Sequence, residues 1–115
     1  MRGLGNLGNM GGMANVMKQA QKMMEQQKQM QDELANEVLE GSAGGGMVVA
    51  QVTGLGKIVG IKIDPQVVDP GDVEMLEDLV LTAVREATDR SEVAREERQN
   101  QLLGGLGIPP GMFGG

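Results

Sequence analysis

The sequence predicts an α+β protomer in the order α-β-β-β-α, with two long helices flanking a three-stranded antiparallel sheet. Apolar residues recur at spacings of three and four over about 13–35 and again over about 73–87, the first part of a second helical segment. Between these segments, short runs of β-branched residues alternate with glycine-rich turns. At 115 residues the chain has the length of one small domain. We expect the domain to span residues 13–101, with flexible Gly-rich tails over 1–12 and 102–115.

The first helix is expected from about Met13 to Ala35. Its remaining positions are mostly Gln, Lys and Glu, which are good helix formers. The apolar stripe is rich in methionine, which packs adaptably, so it predicts ordinary core or a dimer or helix seam formed by Met23, Met24, Met30 and Leu34. The alternative is a groove-forming surface for a partner. Gly3 to Gly8 matches G-x-G-x-x-G, but no strand precedes it, so dinucleotide binding is not predicted.

A glycine-rich stretch from Glu40 to Val48 separates the first helix from the rest of the sheet. Gly44 to Gly46 cannot lie within a stable helix, since each glycine costs roughly 1 kcal/mol against alanine. We expect a tight turn there, between a strand over 38–43 and a strand that begins at Met47. A phosphate-binding loop is the alternative, but it requires a helix directly afterwards, and β-branched residues follow instead.

The third strand is expected from Lys57 to Ile63, after a turn at 54–56. Val59, Ile61 and Ile63 are predicted to share one face. Gly60 is predicted to mark a bulge or a close approach by a helix.

The second helix is expected to run to about Gln101, with Asp69 as its N-cap and Pro70 at its first position. Beyond Ala87 its apolar stripe thins, and arginines alternate with acidic residues. Their spacing predicts ion pairs such as Glu86 with Arg90 and Glu92 with Arg95.

Composition excludes several kinds of chemistry. The chain contains no cysteine and no histidine, which removes thiol and imidazole catalysis and Cys/His zinc sites. No nucleophile–base pair can be named, so we expect no enzyme, no cofactor, no metal and no small-molecule substrate. No apolar run is long enough to cross a membrane, and we expect a cytoplasmic protein.

Charge is distributed unevenly along the chain, whose formal net charge is −6. Residues 1–31 hold four basic side chains against one acidic, whereas residues 32–115 hold six against fifteen. Lys18 and Lys22 share a helix face, and Lys28 lies about 80° further round. These lysines predict a row of phosphate contacts, with a merely solvated face as the alternative. The only aromatic residue is Phe113, so base stacking is not expected.

The element lengths predict a homodimer. A seven-residue strand spans about 23 Å, whereas helices of about 23 and 30 residues span about 35 and 45 Å. Both helices therefore extend past the sheet, and so small a core with an open sheet edge favours a second copy. We expect a two-fold dimer with protruding helical arms.

Several segments together resemble a known family: Met17 to Met23, Glu40 to Val48, Asp64-Pro65, and Asp69 to Leu79. In this order they are similar to the YbaB/EbfC family of bacterial nucleoid-associated proteins. The resemblance implies an α-β-β-β-α protomer, a tweezers-shaped homodimer and binding to duplex DNA in the cytoplasmic nucleoid.

In that family DNA contacts are attributed to the helical arms and nearby basic residues. Carried onto this chain, the resemblance implies contacts from Lys18, Lys22 and Lys28, and from Arg90, Arg95 and Arg98. The chain has Val49 where family members often place a basic or polar residue.

Two hypotheses follow. The first is a non-enzymatic dimer that bends, bridges or coats duplex DNA with little sequence preference, the acidic residues orienting the duplex away from the sheet. The second is a protein-interaction or chaperone-like module that uses its Met-rich helix as a seam for partners.

Overall fold

The computed structural model describes the backbone of residues 2–105 and residue 107, and the side chains of these residues from Gly12 onward. It contains α1 (Arg2–Asn36), β1 (Val38–Ala43), β2 (Val48–Thr53), β3 (Ile58–Ile63), a short 3₁₀ helix (Pro65–Val67) and α2 (Val73–Gly105). The strands form one antiparallel sheet in the order β1-β2-β3. The predicted α-β-β-β-α architecture is confirmed. The chain divides into two compact units between Met30 and Gln31.

The first unit is helical from Arg2 onward. The predicted helix start at Met13 is wrong, because a helix that already exists extends residue by residue without a new nucleation step. The G-x-G-x-x-G segment therefore lies inside α1, and no strand precedes it in the described chain.

The second unit packs α2 across β1 and β2. Alternate residues of these strands face the helix, and Val48, Ala50 and Val52 are fully buried beneath Ala83 and Ala87. Small side chains on both sides let helix and sheet approach closely. A Cβ on Gly41 would collide with backbone atoms of Ala83 and Ala87. The core is therefore thin and depends on residues that have little or no side chain.

The three glycines at 44–46 form the predicted turn between β1 and β2. All three have positive φ, at 64°, 67° and 92°. A run of left-handed residues of this kind is disfavoured for every other residue type by roughly 1–2 kcal/mol each. A Cβ added to Gly45 or Gly46 would have no neighbour within 4 Å, so their backbone conformation, not space, requires glycine.

The strand β3 is irregular at its start. Val52 pairs with Ile58, but Gln51 pairs with Gly60, so Val59 is an extra residue on β3. A bulge next to Gly60 was one of the two predicted roles for that glycine. The bulge changes the predicted faces, because Ile58, Ile61 and Ile63 share the α2 side of the sheet and Val59 does not pair.

The helix α2 begins three residues later than expected. Asp69 accepts a hydrogen bond from the Gly71 amide at 2.8 Å and closes a turn with Pro70 and Gly71. Asp72 then caps the helix by accepting from the Met75 amide at 3.2 Å. The prediction of Asp69 as N-cap was wrong because the Pro-Gly pair favours a turn over a first helical turn.

At its other end, α2 continues to Gly105 instead of ending near Gln101. Most of the predicted C-terminal tail lies outside the described residues. Over the part of the chain that the structure describes, neither helix has the length and hydropathy needed to span a membrane.

Candidate nucleic-acid interface

The three lysines predicted to contact phosphate lie on α1 and are exposed. No ion pair within the described residues involves Lys18, Lys22 or Lys28. Between Gly12 and Met30 the only carboxylate is Glu25. Glu25 lies three residues from both Lys22 and Lys28, but no ion pair forms between them. This stretch of helix therefore presents three cationic groups against one carboxylate, which favours contact with a polyanion.

The apolar stripe of α1 is also largely exposed. Met13, Val16, Met17 and Met24 each leave 60–71% of their surface accessible. Met23 is 38% exposed and Met30 is half-buried. The proposed dimer or helix seam remains a prediction at Met23, Met24 and Met30.

Leu34, the fourth predicted seam residue, has a different environment. It is only 2% exposed and packs against Gly54 in the turn between β2 and β3. The carbonyl of Leu34 accepts a hydrogen bond from the Gly54 amide at 2.8 Å. Leu34 therefore already belongs to the packing of the second unit.

Arg98 joins the end of α1 to α2. Its guanidinium lies 2.7 Å from Glu33 Oε2 and 3.0 Å from Glu37 Oε2. The side chain is 31% exposed, so both pairs are partly shielded from water. A guanidinium held by two carboxylates has little charge left to offer a phosphate, and this geometry favours a structural role.

Arg95 is likewise engaged within the protomer. Its Nη1 donates to Gly54 O at 2.9 Å and to the Ser91 hydroxyl at 2.7 Å. The Ser91 hydroxyl is fully buried and lies 2.9 Å from Thr53 O, to which it donates. Arg95 therefore fastens α2 to the β2–β3 turn. The expected Glu92–Arg95 ion pair does not form, because the turn carbonyl and Ser91 are closer partners.

Arg90 is the most exposed of the three predicted arginines. It pairs with Glu86 at 3.0 Å, as the i,i+4 spacing predicted, and its side chain is 60% exposed. Such a surface pair is worth at most about 1 kcal/mol and can open. The role of Arg90 in DNA contact remains a prediction.

Sequence reasoning did not select Lys57, Lys62 or Arg85, which are exposed and form no ion pair with any described residue. Lys62 lies five positions after Lys57, an odd number, so simple alternation places them on opposite faces of a strand. The bulge at Val59 reverses that expectation. Gly60 was the one signal in the sequence that pointed to it.

A second feature that the sequence did not reveal is an apolar groove of about 440 Å³ between β3 and α2. Ile63, Leu76, Val80, Leu81 and Val84 line it, together with the acidic residue Glu77. Ile58, Ile61 and Ile63 are 40–49% exposed on this side of the sheet because α2 covers only β1 and β2. An exposed apolar surface beside an unpaired strand edge is typical of an interaction surface.

The acidic residues at the start of α2 do not form a metal centre. Asp72, Glu74 and Asp78 line an open depression beside Gly44. Within the described residues, no three His, Cys, Asp or Glu side chains converge closely enough to hold a metal ion. Asp72 caps α2, which accounts for its position.

The fold and the exposed lysines together define a class: small helix–sheet–helix proteins that present an unpaired basic helix. The sequence profile of the YbaB/EbfC DNA-binding family matches residues 10–106. This chain belongs to the YbaB/EbfC DNA-binding family.

Relatives agree with this assignment over nearly the whole chain. A nucleoid-associated protein of Clostridium kluyveri is 50% identical over 111 residues, covering 96% of each chain. A nucleoid-associated protein of Clostridium perfringens is 49% identical, covering 95% of this chain and 94% of the other. The nucleoid-associated protein bll8115 of Bradyrhizobium diazoefficiens is 43% identical, covering 86% of this chain and 93% of its own length.

A solved structure shares the fold. The crystal structure of the uncharacterized protein HP0035 from Helicobacter pylori superimposes with a TM-score of 0.65. The match covers 79% of this chain and 92% of that chain at 23% sequence identity. At that identity the likeness shows the fold alone.

Proposed function

We propose that this protein is a bacterial nucleoid-associated protein that binds duplex DNA as a homodimer in the cytoplasm. Its helical arms contact phosphates with little sequence preference, and the dimer bends, bridges or coats the duplex. The function is one of binding and not of catalysis. The observation that carries the proposal is the exposed, unpaired set of Lys18, Lys22 and Lys28 in a chain of a DNA-binding family.

Low sequence preference follows from the kind of contact. Lysine ammonium groups neutralise phosphates, which are the same at every base pair, whereas specificity requires contacts to base edges. The described part of the chain contains no aromatic side chain to stack on bases. We therefore expect similar affinities for AT-rich and GC-rich duplexes of equal length.

The groove between β3 and α2 supports the homodimer. A second copy placed across it covers the exposed isoleucines of β3 and the apolar side of α2 together. A two-fold axis brings the same patch of both copies into contact, which suits a continuous apolar surface. This dimer contact uses none of the lysines of α1, so the lysines of both copies remain available to bind DNA.

Salt dependence gives the proposal a quantitative test. Three lysines in each of two copies neutralise about six phosphates, so log affinity against log salt has a slope of roughly −5. The experiment is a duplex titration at about 50 and 200 mM salt, with a light-scattering mass on the same sample. A dimer with this slope supports the proposal. A dimer that shows no binding at the lower salt contradicts it.

The exposed methionines favour a second candidate, in which α1 binds partner proteins through an adaptable apolar seam. Binding of that kind survives high salt and is lost when Met23, Met24 and Met30 become Gln. The DNA proposal predicts the opposite: Lys18, Lys22 and Lys28→Glu abolish binding while the dimer mass is unchanged.

A further inference from the structure

The sheet has one face that α2 does not cover. Residues 48, 50 and 52 of β2 face α2 and are buried, so residues 49, 51 and 53 belong to the opposite side. The register extends this side to its neighbours on β1 and β3. We call it the open face. It consists of Val38, Glu40, Ser42, Val49, Gln51, Thr53, Lys57, Gly60 and Lys62, of which Thr53, at the turn end, is buried.

The bulge brings both lysines of β3 to the open face. Lys62 pairs with Val49, and Gly60 pairs with Gln51. Lys57 lies opposite Thr53, whose amide donates to Lys57 O at 2.8 Å and whose hydroxyl accepts from the Lys57 amide at 3.2 Å. Without the extra residue at Val59, one of the two lysines would face α2. Bulges commonly redirect a side chain in this way.

The surface between the two lysines does not protrude and carries no charged side chain. Gly60 has no side chain, and the amide of Gln51 lies over it, with Oε1 only 2.7 Å from the position that a Cβ would take. The lysines lie opposite Thr53 and Val49, which are four residues apart on β2, so about 14 Å separates them. That span is comparable with the width of the DNA major groove, about 12 Å between the bounding backbones.

The charge of the open face also favours an anion. Lys57 and Lys62 are exposed and unpaired, and Glu40 is the only carboxylate that the strand residues 38–43, 48–53 and 58–63 contribute to this face. Just past the end of β3, the Asp64 carboxylate accepts a hydrogen bond from the Gln66 amide at 2.9 Å. Glu40 lies on β1, two strands from Gly60, or about 10 Å away. The acidic start of α2 lies on the other side of the sheet. Lys62 also supplies positive charge directly beside Val49.

We propose that the open face is a second phosphate-binding surface, in which Lys57 and Lys62 contact the backbones of duplex DNA. This inference rests on the proposed DNA-binding function and adds to it a surface separate from α1. The absence of a side chain at Gly60 leaves room for the duplex backbone, and Gln51 can donate a neutral hydrogen bond to a phosphate between the lysines. In this proposal the duplex approaches the open face of the sheet, whereas the sequence predicted that acidic residues orient it away from the sheet.

The test titrates duplex DNA with full-length variants at several salt concentrations. Each variant removes a known number of charges. Lys57→Gln with Lys62→Gln removes both proposed contacts, and Arg85→Gln removes an exposed, unpaired charge on the outward side of α2. We expect the slope of log affinity against log salt to flatten by about 0.9 for each phosphate that is no longer neutralised. At 0.1 M salt each such phosphate weakens binding about eightfold. Arg85→Gln leaves the slope unchanged.

Glu40→Gln supplies a test that loss of folding cannot mimic, because the expected result is a gain. Removing the carboxylate of the open face should strengthen binding about two- to fivefold at low salt. Asp78→Asn on α2 is the matched control and should have no such effect. Far-UV circular dichroism confirms that each variant is folded.

Three outcomes overturn the inference, and they can be told apart. If the Lys57/Lys62 variant keeps its slope while Lys18→Gln with Lys22→Gln flattens it, DNA binding stands but the open face has no part in it. If the Lys57/Lys62 variant changes the molecular mass, the open face is a contact between copies. If the unmodified protein binds no duplex at about 50 mM salt, the proposed function itself fails.

Discussion

The resemblance implies that Arg98 contacts DNA, whereas its ion pairs in the structure favour a structural role. Arg98→Gln tests which of the two roles applies. The guanidinium pairs with Glu33 and Glu37, at 2.7 and 3.0 Å. Charge-assisted hydrogen bonds contribute about 1.5–3 kcal/mol when shielded and less when exposed. Because the arginine is 31% exposed, we expect the variant to lose about 1–2 kcal/mol of unfolding free energy.

The assay is urea denaturation followed by far-UV circular dichroism, since the chain has no tryptophan or tyrosine to report by fluorescence. With an m-value of about 1.5 kcal/mol/M, the midpoint should fall by about 1 M. Protein concentration is held constant, because a dimer gains apparent stability with concentration. Lys28→Gln is the control, since it removes one exposed charge from α1, and it should leave the midpoint unchanged.

The same two variants are then titrated with duplex DNA. Arg98→Gln should keep the salt slope of the unmodified protein, whereas Lys28→Gln should flatten it by about 0.9 for each phosphate that is no longer neutralised. The structural role is refuted if Arg98→Gln flattens the slope by that amount and leaves the urea midpoint where it was. Arg98 would then be a phosphate contact after all.

Three further changes test other parts of the molecule. Gly41→Ala forces a methyl group into the backbone of α2 and should lower the unfolding free energy by about 3 kcal/mol. Gly45→Ala has open space around it but a positive φ, and should lower the unfolding free energy by about 1–2 kcal/mol. Urea midpoints that rank the two variants in reverse order contradict this packing. Ser91→Ala leaves Arg95 with only one of its two partners and should lower unfolding free energy by about 1–3 kcal/mol, and a neutral result shows that the hydroxyl is dispensable. Ile61→Asp places a charge on the exposed apolar side of β3, on the same side as the groove, and should give a monomer by light scattering. Ser42→Asp on the open face should not. An unchanged Ile61→Asp dimer places the interface elsewhere.

The strands and turns were predictable because their signals are local. β-branched residues alternate between glycine turns, and three successive glycines require a backbone that other residues avoid. β1 was predicted with the bounds that the structure shows, and β2 and β3 begin one residue later than expected. Helix ends were less predictable, since extension past Met13 and the Pro70-Gly71 turn depend on balances of about 1 kcal/mol.

The roles of charged residues were harder to predict, because they depend on contacts between distant segments. Arg98 bonds to Glu37 and Glu33, which precede it by 61 and 65 positions. Arg95 bonds to the carbonyl of Gly54, which precedes it by 41 positions. Sequence spacing could show only the local Glu86–Arg90 pair. The bulge that unites Lys57 and Lys62 depends in the same way on strand register, which only the folded sheet displays.

The most direct measurement of the central claim is a lysine-acetylation footprint of the full-length protein with and without saturating duplex DNA. The chain has five lysines, at 18, 22, 28, 57 and 62, and mass spectrometry can follow each one separately. We predict that DNA slows acetylation at Lys18, Lys22 and Lys28, and that salt at about 0.5 M removes this protection. Equal acetylation of these three lysines in the two samples, at a salt concentration where DNA is bound, would contradict it.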